Sequence, residues 1–99
     1  MVTLTVLYGT PDDAEKFDKH YFETHIPLAK AVPGLDDARV TKFLPGADGA
    51  APAYYLMAQL SFADADAMGA ALSSAQGQAL VADVANLGIT PTMLSGTTE

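Results

Sequence analysis

His25 is the residue of this sequence best suited to proton transfer, and its spacing places it on an apolar helical stripe. Phe17, Tyr21 and His25 follow one another every fourth residue, which puts their side chains on one face of an α-helix. An imidazole changes charge near neutral pH and can accept or donate a proton. His20 lies about 140° away around the same helix, so it is predicted to face solvent. His25 is therefore the candidate acid or base; the alternative is a core histidine hydrogen-bonded only to protein.

Pro27 interrupts the helix close to this histidine. Proline has no N–H and disfavours the α conformation in the residue before it, here Ile26. The helix is therefore predicted to end or kink within one residue of His25. At such a break the imidazole could reach a cavity. Pro33 and Gly34 then indicate a turn.

Asp83 is the candidate partner of His25. In the last predicted helix, Leu80, Val84 and Leu87 form the apolar stripe, and Asp83 lies about 60° from its centre. A carboxylate at this position is either a solvated residue at the rim or an acceptor for His25. In the second case it would fix the tautomer of the imidazole and raise its basicity.

Tyrosines accompany the histidine on the faces predicted to point inward. Buried tyrosines most often pack in a core with one satisfied hydroxyl. Alternatively, these rings could line a pocket for an aromatic or polyketide-like ligand, with Tyr21 donating a hydrogen bond. We therefore predict catalytic roles for His25, Asp83 and Tyr21, and ligand contacts for Phe17, Tyr8 and Tyr54.

The composition disfavours several classes of function. Twelve Asp and Glu against five Lys and Arg give a formal charge of −7, which would repel a nucleic-acid backbone. The chain has no cysteine, no H-E-x-x-H pair and no phosphate-loop or dinucleotide fingerprint, so neither a metal nor a cofactor is predicted. No apolar run approaches the roughly 20 residues of a membrane helix. No signal-peptide pattern precedes the first strand, and a cytoplasmic location is expected.

The hydrophobic periodicity predicts the element order βαββαβ. The predicted strands are 2–8, 38–44, 54–62 and 89–94, and residues 95–99 are a frayed tail. Asp12 or Asp13 would cap the first helix, and Asp64 would cap the second, which breaks and restarts near Ser74 and stops at Gly88. This order predicts one α+β domain over residues 1–99 with a ferredoxin-like fold, in which helices cover one face of an antiparallel four-stranded sheet.

The other face of that sheet is too apolar to stand alone in water. A homodimer formed through the two sheets is therefore predicted. The residues expected on this face are Thr3, Thr5, Leu7, Tyr55, Met57 and Gln59.

One string of residues resembles a known family. Phe17-x-x-x-Tyr21-x-x-x-His25-x-Pro27-Leu28, followed by Pro33-Gly34-Leu35, is similar to the EthD family of small dimeric α+β-barrel proteins. That family is named after a protein needed for bacterial degradation of ethyl tert-butyl ether. The resemblance continues through Ala82-Asp83-Val84-Ala85-Asn86 and spans nearly the whole chain. It departs at Leu87, where the family usually has phenylalanine, and at residues 93–96, where it usually has an aromatic pair.

The resemblance implies a pocket between the helices and the sheet. Related barrels include muconolactone isomerases, polyketide cyclases, cofactor-free monooxygenases and haem-binding proteins. The implied function is cofactor-free acid/base chemistry on a small apolar oxygenated metabolite, of the isomerase, cyclase or monooxygenase kind. The alternatives are a non-catalytic binder or carrier of a hydrophobic metabolite, and a haem-binding relative.

Overall fold

The structure, a computed structural model, describes residues 1–98. No helix among these residues is both long enough and apolar enough to cross a membrane. The helices and strands in chain order are β1 (Val2–Tyr8), α1 (Ala14–His20), a π-helical turn (Tyr21–His25), α2 (Ile26–Lys30), β2 (Asp37–Lys42), β3 (Leu56–Phe62), α3 (Ala65–Ser73), α4 (Ala75–Asp83), a 3₁₀ turn (Val84–Leu87) and β4 (Thr92–Thr97).

The four strands form one antiparallel sheet in the order β2-β3-β1-β4. Alternate residues of the two central strands are buried, as in the pairs Leu4–Leu60 and Val6–Ala58, so one sheet face forms the floor of the core. The helices pack on that face, with α3 against β3 and α2 against α4. The predicted α+β ferredoxin-like fold is confirmed.

Side-chain caps begin the three longer helices where the sequence predicts them. The carboxylate of Asp13 accepts from the Lys16 amide at 3.1 Å, and that of Asp64 accepts from the Ala67 amide at 2.8 Å. Ser74 separates α3 from α4 and accepts from the Gly77 amide at 3.0 Å. A Cβ at Gly77 would collide with the Ala71 carbonyl, so only glycine allows these helices to approach so closely.

Three predicted strands have wrong boundaries. β2 runs from Asp37 to Lys42 and not over 38–44, and the corrections to β3 and β4 affect the site. β4 begins at Thr92, not at 89, because Pro91 has no N–H for the ladder and stands before the strand. It continues to Thr97, so the predicted fraying of 95–99 is also wrong over most of its length, and Glu99 lies outside the described residues. β3 begins at Leu56, two residues after Tyr54.

The helix carrying the histidines neither ends nor breaks at Pro27. It widens into the π-helical turn, in which the Ile26 amide donates to the Tyr21 carbonyl five residues earlier, and then continues as α2 to Lys30. Ile26 has α-helical angles, φ −60° and ψ −45°, so its predicted displacement from that conformation is wrong. The wider turn relieves the clash that the Pro27 ring would make with the carbonyl of Glu23 in a regular α-helix.

Candidate functional site

A buried hydrogen bond joins the last helix to the π-helical turn. The Nδ1 atom of His25 lies 2.8 Å from Oδ2 of Asp83, and both residues are buried, at 5% and 6% exposed. Of the two positions considered for Asp83 from the sequence, the structure therefore shows the contact with His25. The helices α2 and α4 pack together and bring the two residues into reach.

The hydrogen bond determines which nitrogen of His25 carries a proton. Burial of Asp83 would by itself raise the pKa of its carboxyl group, but hydrogen bonds from Asn86, His25 and His20, with the charge of His20, outweigh burial and lower that pKa below its ordinary value. An ionised carboxylate can only accept hydrogen bonds, so Nδ1 of His25 must be the donor. In the neutral ring, Nε2 then has a free lone pair and can act as a base.

His20 also binds Asp83, and its predicted solvent-facing position is wrong. Its Nε2 lies 2.9 Å from Oδ1 and 3.0 Å from Oδ2, and its side chain is 31% exposed. The expected separation of about 140° from His25 holds only for a regular α-helix. In a π-helical turn, residues five apart lie one above the other, so both imidazoles point to the same carboxylate.

Asn86 completes this cluster and was not predicted from the sequence. Its amide Nδ2 donates to Oδ1 of Asp83 at 3.1 Å. The signal that could have identified it is its position three residues after Asp83, where helical residues share a face. Asp83 thus accepts from three side chains, all of them within its hydrogen-bonding capacity.

His25 lines an apolar cavity of about 140 Å³ between the helices and the sheet. Within residues 1–98, every fully buried polar atom of a side chain has a hydrogen-bond partner. The Nε2 atom of His25 has no such partner among these residues, so it is not fully buried. Nε2 therefore has access to open space. The residues that line the cavity include Leu4, Val6, Ala29, Ala58, Leu60, Leu80 and Val84, with Val81 and Met93 at its more exposed end.

Tyr8 and Tyr21 line the same cavity, as predicted. Burial, and secondarily the charge of Asp83, raises the pKa of Tyr8 to about 12, and burial followed by the proximity of Tyr8 raises the pKa of Tyr21 further. Both phenols are therefore protonated donors at neutral pH. Neither hydroxyl has a hydrogen-bond partner within residues 1–98. Since no fully buried polar atom among these residues lacks a partner, neither hydroxyl oxygen is fully buried.

Two aromatic side chains, Tyr21 and Phe17, form a stack against the ring of His25. The ring of Tyr21 stacks on His25 with centroids 5.1 Å apart, and Phe17 stacks on Tyr21 at 5.6 Å. Phe17 lies against Tyr8 and Tyr21 and lines a second, more polar cavity instead of the apolar one, so its predicted ligand contact stays a prediction. Its position also supports the rings that line the apolar cavity.

Tyr54 is not brought to the site. It precedes β3, is 38% exposed and lines neither cavity, so its predicted inward position is wrong. Tyr55, predicted on the opposite sheet face, instead packs edge-on against Phe17 at 5.7 Å and donates from its hydroxyl to Asp18 at 2.8 Å. The alternation that places these residues holds only inside a strand, and the strand starts at Leu56.

A second, more polar cavity of about 420 Å³ lies on the other side of the cluster. His20 and Asn86 form part of its wall, together with Asp12, Asp13 and Lys16. Among residues 1–98 no three His, Cys, Asp or Glu side chains are arranged to hold a metal ion. Both imidazoles point at the carboxylate and not at a common empty point.

Comparisons with known proteins agree on one family. The EthD domain profile matches residues 11–88. An uncharacterized 11.0 kDa protein from the thcB-thcC intergenic region of Rhodococcus erythropolis is 38% identical over 86 residues, which are 87% of this chain and 82% of that protein. The crystal structure of an EthD family protein from Bacillus halodurans superposes with a TM-score of 0.92 at 33% identity, covering 100% of this chain and 99% of that one.

A more distant structure shares the fold alone. SnoaB from Streptomyces nogalater, a cofactor-independent oxygenase, superposes with a TM-score of 0.70 at 17% identity over 99% of this chain and 92% of that one. The family profile covers the π-helical turn, both histidines and Asp83, so the whole cluster lies inside the matched region. On these matches the chain belongs to the EthD family.

Proposed function

We propose that this EthD family protein transfers protons to and from a small, mostly apolar, oxygenated molecule without a cofactor. The observation that carries the proposal is the orientation of His25. Its Nδ1 is fixed on the buried Asp83, which leaves Nε2 as the basic nitrogen of a residue that lines an apolar cavity. A base in such a place can remove a proton from carbon next to a carbonyl group.

The tyrosines supply the second half of this chemistry. When His25 takes the proton at Nε2, the electron pair of the broken C–H bond moves onto the carbonyl oxygen. The protonated phenol of Tyr21, with that of Tyr8 beside it, can donate a hydrogen bond to that oxygen as its negative charge develops. The apolar wall excludes water, which strengthens both interactions.

The size of the cavity limits the ligand. A volume of about 140 Å³ is close to the ~150 Å³ that is known to hold one benzene molecule. The ligand is therefore a single-ring compound or a short chain of similar volume. A haem does not fit this cavity, so the alternative of a haem-binding relative receives no support from its dimensions.

The similarity to a cofactor-independent oxygenase is compatible with this proposal, since such enzymes use the same fold. The competing function is that of a binder or carrier of a hydrophobic metabolite. It is favoured by the lining of the cavity, which is almost entirely aliphatic apart from His25, Lys30, Arg39 and the two phenols. Binding of a ketone without exchange of its α-protons would distinguish a carrier from an enzyme.

Cyclohexanone is a suitable first probe, because it is a single ring with a carbonyl and exchangeable α-hydrogens. In deuterium oxide, we expect the protein to accelerate the loss of the α-proton NMR signals above the rate in protein-free buffer. Decalone, with two fused rings, should bind more weakly because it exceeds the cavity volume. Binding of cyclohexanone with no acceleration would support the carrier, and no binding at all would refute both functions.

We also propose that two chains associate through their sheets. The sheet face opposite the helices carries Leu7 and Met57 side by side on β1 and β3, and Leu94 on β4 is 57% exposed next to Thr5. A second copy of this face would cover these apolar side chains. Tyr55 does not belong to this face, since it packs on Phe17.

Replacing both Leu7 and Met57 by lysine is expected to give monomers. Four charges would face one another across a two-fold interface, and like charges brought together out of water repel. Light scattering should show the mass falling from twice the 10.3 kDa chain mass to that of one chain. The matched control is Ala70→Lys with Ala79→Lys, which adds the same charge to exposed helical positions. If the mass of the Leu7 and Met57 variant is unchanged, the proposed interface is wrong.

A further inference from the structure

A single carboxylate connects two imidazoles that face different cavities. His25 reaches the apolar cavity beside the sheet, and His20 reaches the polar cavity beside α1. Their nitrogens lie 2.8 Å and 2.9 Å from the two oxygens of Asp83. The two cavities are therefore connected by a continuous chain of hydrogen-bonded side chains, which consists of His25, Asp83 and His20.

Charge limits how many protons this cluster can hold. Asp83 carries one negative charge, which balances one imidazolium. A second imidazolium would leave a net positive charge in surroundings where His25 and Asp83 are almost completely desolvated. The presence of a positive charge on one ring therefore disfavours a positive charge on the other.

The neighbouring charges favour the two rings differently. In the apolar cavity His25 shares the wall with Lys30 of α2, Arg39 of β2 and the two phenols. In the polar cavity His20 shares the wall with Asp12 and Asp13, which precede α1, and with Lys16. The charged neighbours of His25 are therefore both cationic, whereas those of His20 are two carboxylates and one ammonium group.

We propose that His20 and His25 hold one extra proton between them, so that uptake of the substrate's proton by His25 is balanced by release of a different proton from His20 to solvent. In this mechanism, which rests on the proposed function, the ligand's C–H bond breaks and an N–H bond forms at Nε2 of His25. The N–H bond at Nδ1 of His20 then breaks, and that proton passes to water in the polar cavity. Asp83 keeps its hydrogen bonds from both imidazoles throughout, so the carboxylate itself is never protonated.

The test is an NMR titration of the ligand-free protein with isotope-labelled histidine. In the natural protein we expect each ring to titrate over a broad range, with a Hill coefficient below one. In His20→Gln and His25→Asn the remaining ring should titrate in a single step, because each substitution removes one titrating group. Gln places an amide where Nε2 of His20 was, and Asn places one where Nδ1 of His25 was, so each keeps a donor to Asp83.

Lys16→Gln is the matched control, since Lys16 lines the same polar cavity without contacting Asp83. It should leave both curves broad. Two independent single-step curves in the natural protein would overturn the proposal, and this result needs no variant to fold. Broad curves that persist in His20→Gln would overturn it as well.

Proton exchange into cyclohexanone gives the second measurement. At low buffer concentration, His20→Gln should slow the exchange by roughly 10–100-fold. Substitutions of residues that support a functional imidazole through hydrogen bonds commonly have effects of this size. If the natural protein binds no ketone, the proposed function fails while the titration still decides the coupling. If exchange occurs but the curves are independent, the coupling fails alone.

Discussion

Replacing Asp83 by alanine is expected to lower the free energy of unfolding by about 3 kcal/mol at neutral pH, the lower end of the range for breaking a buried pair. The change removes the acceptor of three side chains at once, and it leaves the buried Nδ1–H of His25 without a partner. Urea denaturation at pH 7 measures the loss. Asp66→Ala is the matched control, because Asp66 is an exposed carboxylate of α3, and it should change stability by less than about 0.5 kcal/mol.

The contribution of Asp83 should also depend on pH in one direction. Since the folded protein holds the pKa of this carboxyl below its value in the unfolded chain, the ionised form is the one that stabilises the fold. The stability difference between the natural protein and Asp83→Ala should be complete above about pH 5 and should shrink as the pH falls through the lowered pKa. A difference that stays constant down to pH 2 would contradict the ionised cluster described for Asp83.

Replacing His25 by asparagine is expected to slow cyclohexanone exchange by roughly 10²–10⁴-fold, the usual contribution of a positioned base. The asparagine amide takes the place of Nδ1 and still donates to Asp83, so the packing around α4 is largely kept. Affinity for the ketone should change little, because the aliphatic walls that enclose the ring are untouched. NMR measures both the exchange rate and the affinity in one sample.

Lys30→Gln is the matched control for this experiment. Lys30 lines the same cavity, but it is exposed and is not hydrogen-bonded to Asp83. Its exchange rate should stay within a factor of a few of the natural protein. Equal rates in His25→Asn and the natural protein would place the base elsewhere. A loss of binding in His25→Asn with no change in the rate per bound ligand would assign His25 to anchoring.

Much of this site follows from local rules that the sequence displays. The caps at Asp13, Asp64 and Ser74 and the stop at Gly88 act within a few residues, so these four helix limits were predictable. The inward faces of the central strands follow from alternation. The contact between His25 and Asp83 was one of two possibilities because it depends on how α2 and α4 approach each other, which no local pattern contains.

The misplaced side chains of His20, Tyr54 and Tyr55 share one cause, because in each case regular geometry was extended past the point where it stops. His20 was placed on the wrong side because the angle per residue changes where the α-helix becomes a π-helical turn. Tyr54 and Tyr55 exchanged places because the alternation of β3 was extended two residues before its first ladder position. Both errors concern where the regular geometry of an element stops.

The π-helical turn has a consequence for how the length of this chain can vary. Such a turn is an α-helical turn that has accommodated one additional residue. Deletion of the exposed Thr24, together with replacement of Pro27, would leave a regular α-helix with the two histidines four positions apart, a spacing that again places them on one face. The same three-residue cluster is thus accessible to sequences of two lengths. In an alignment of relatives, a one-residue gap between the histidines would therefore mark a change of helix type with the cluster retained.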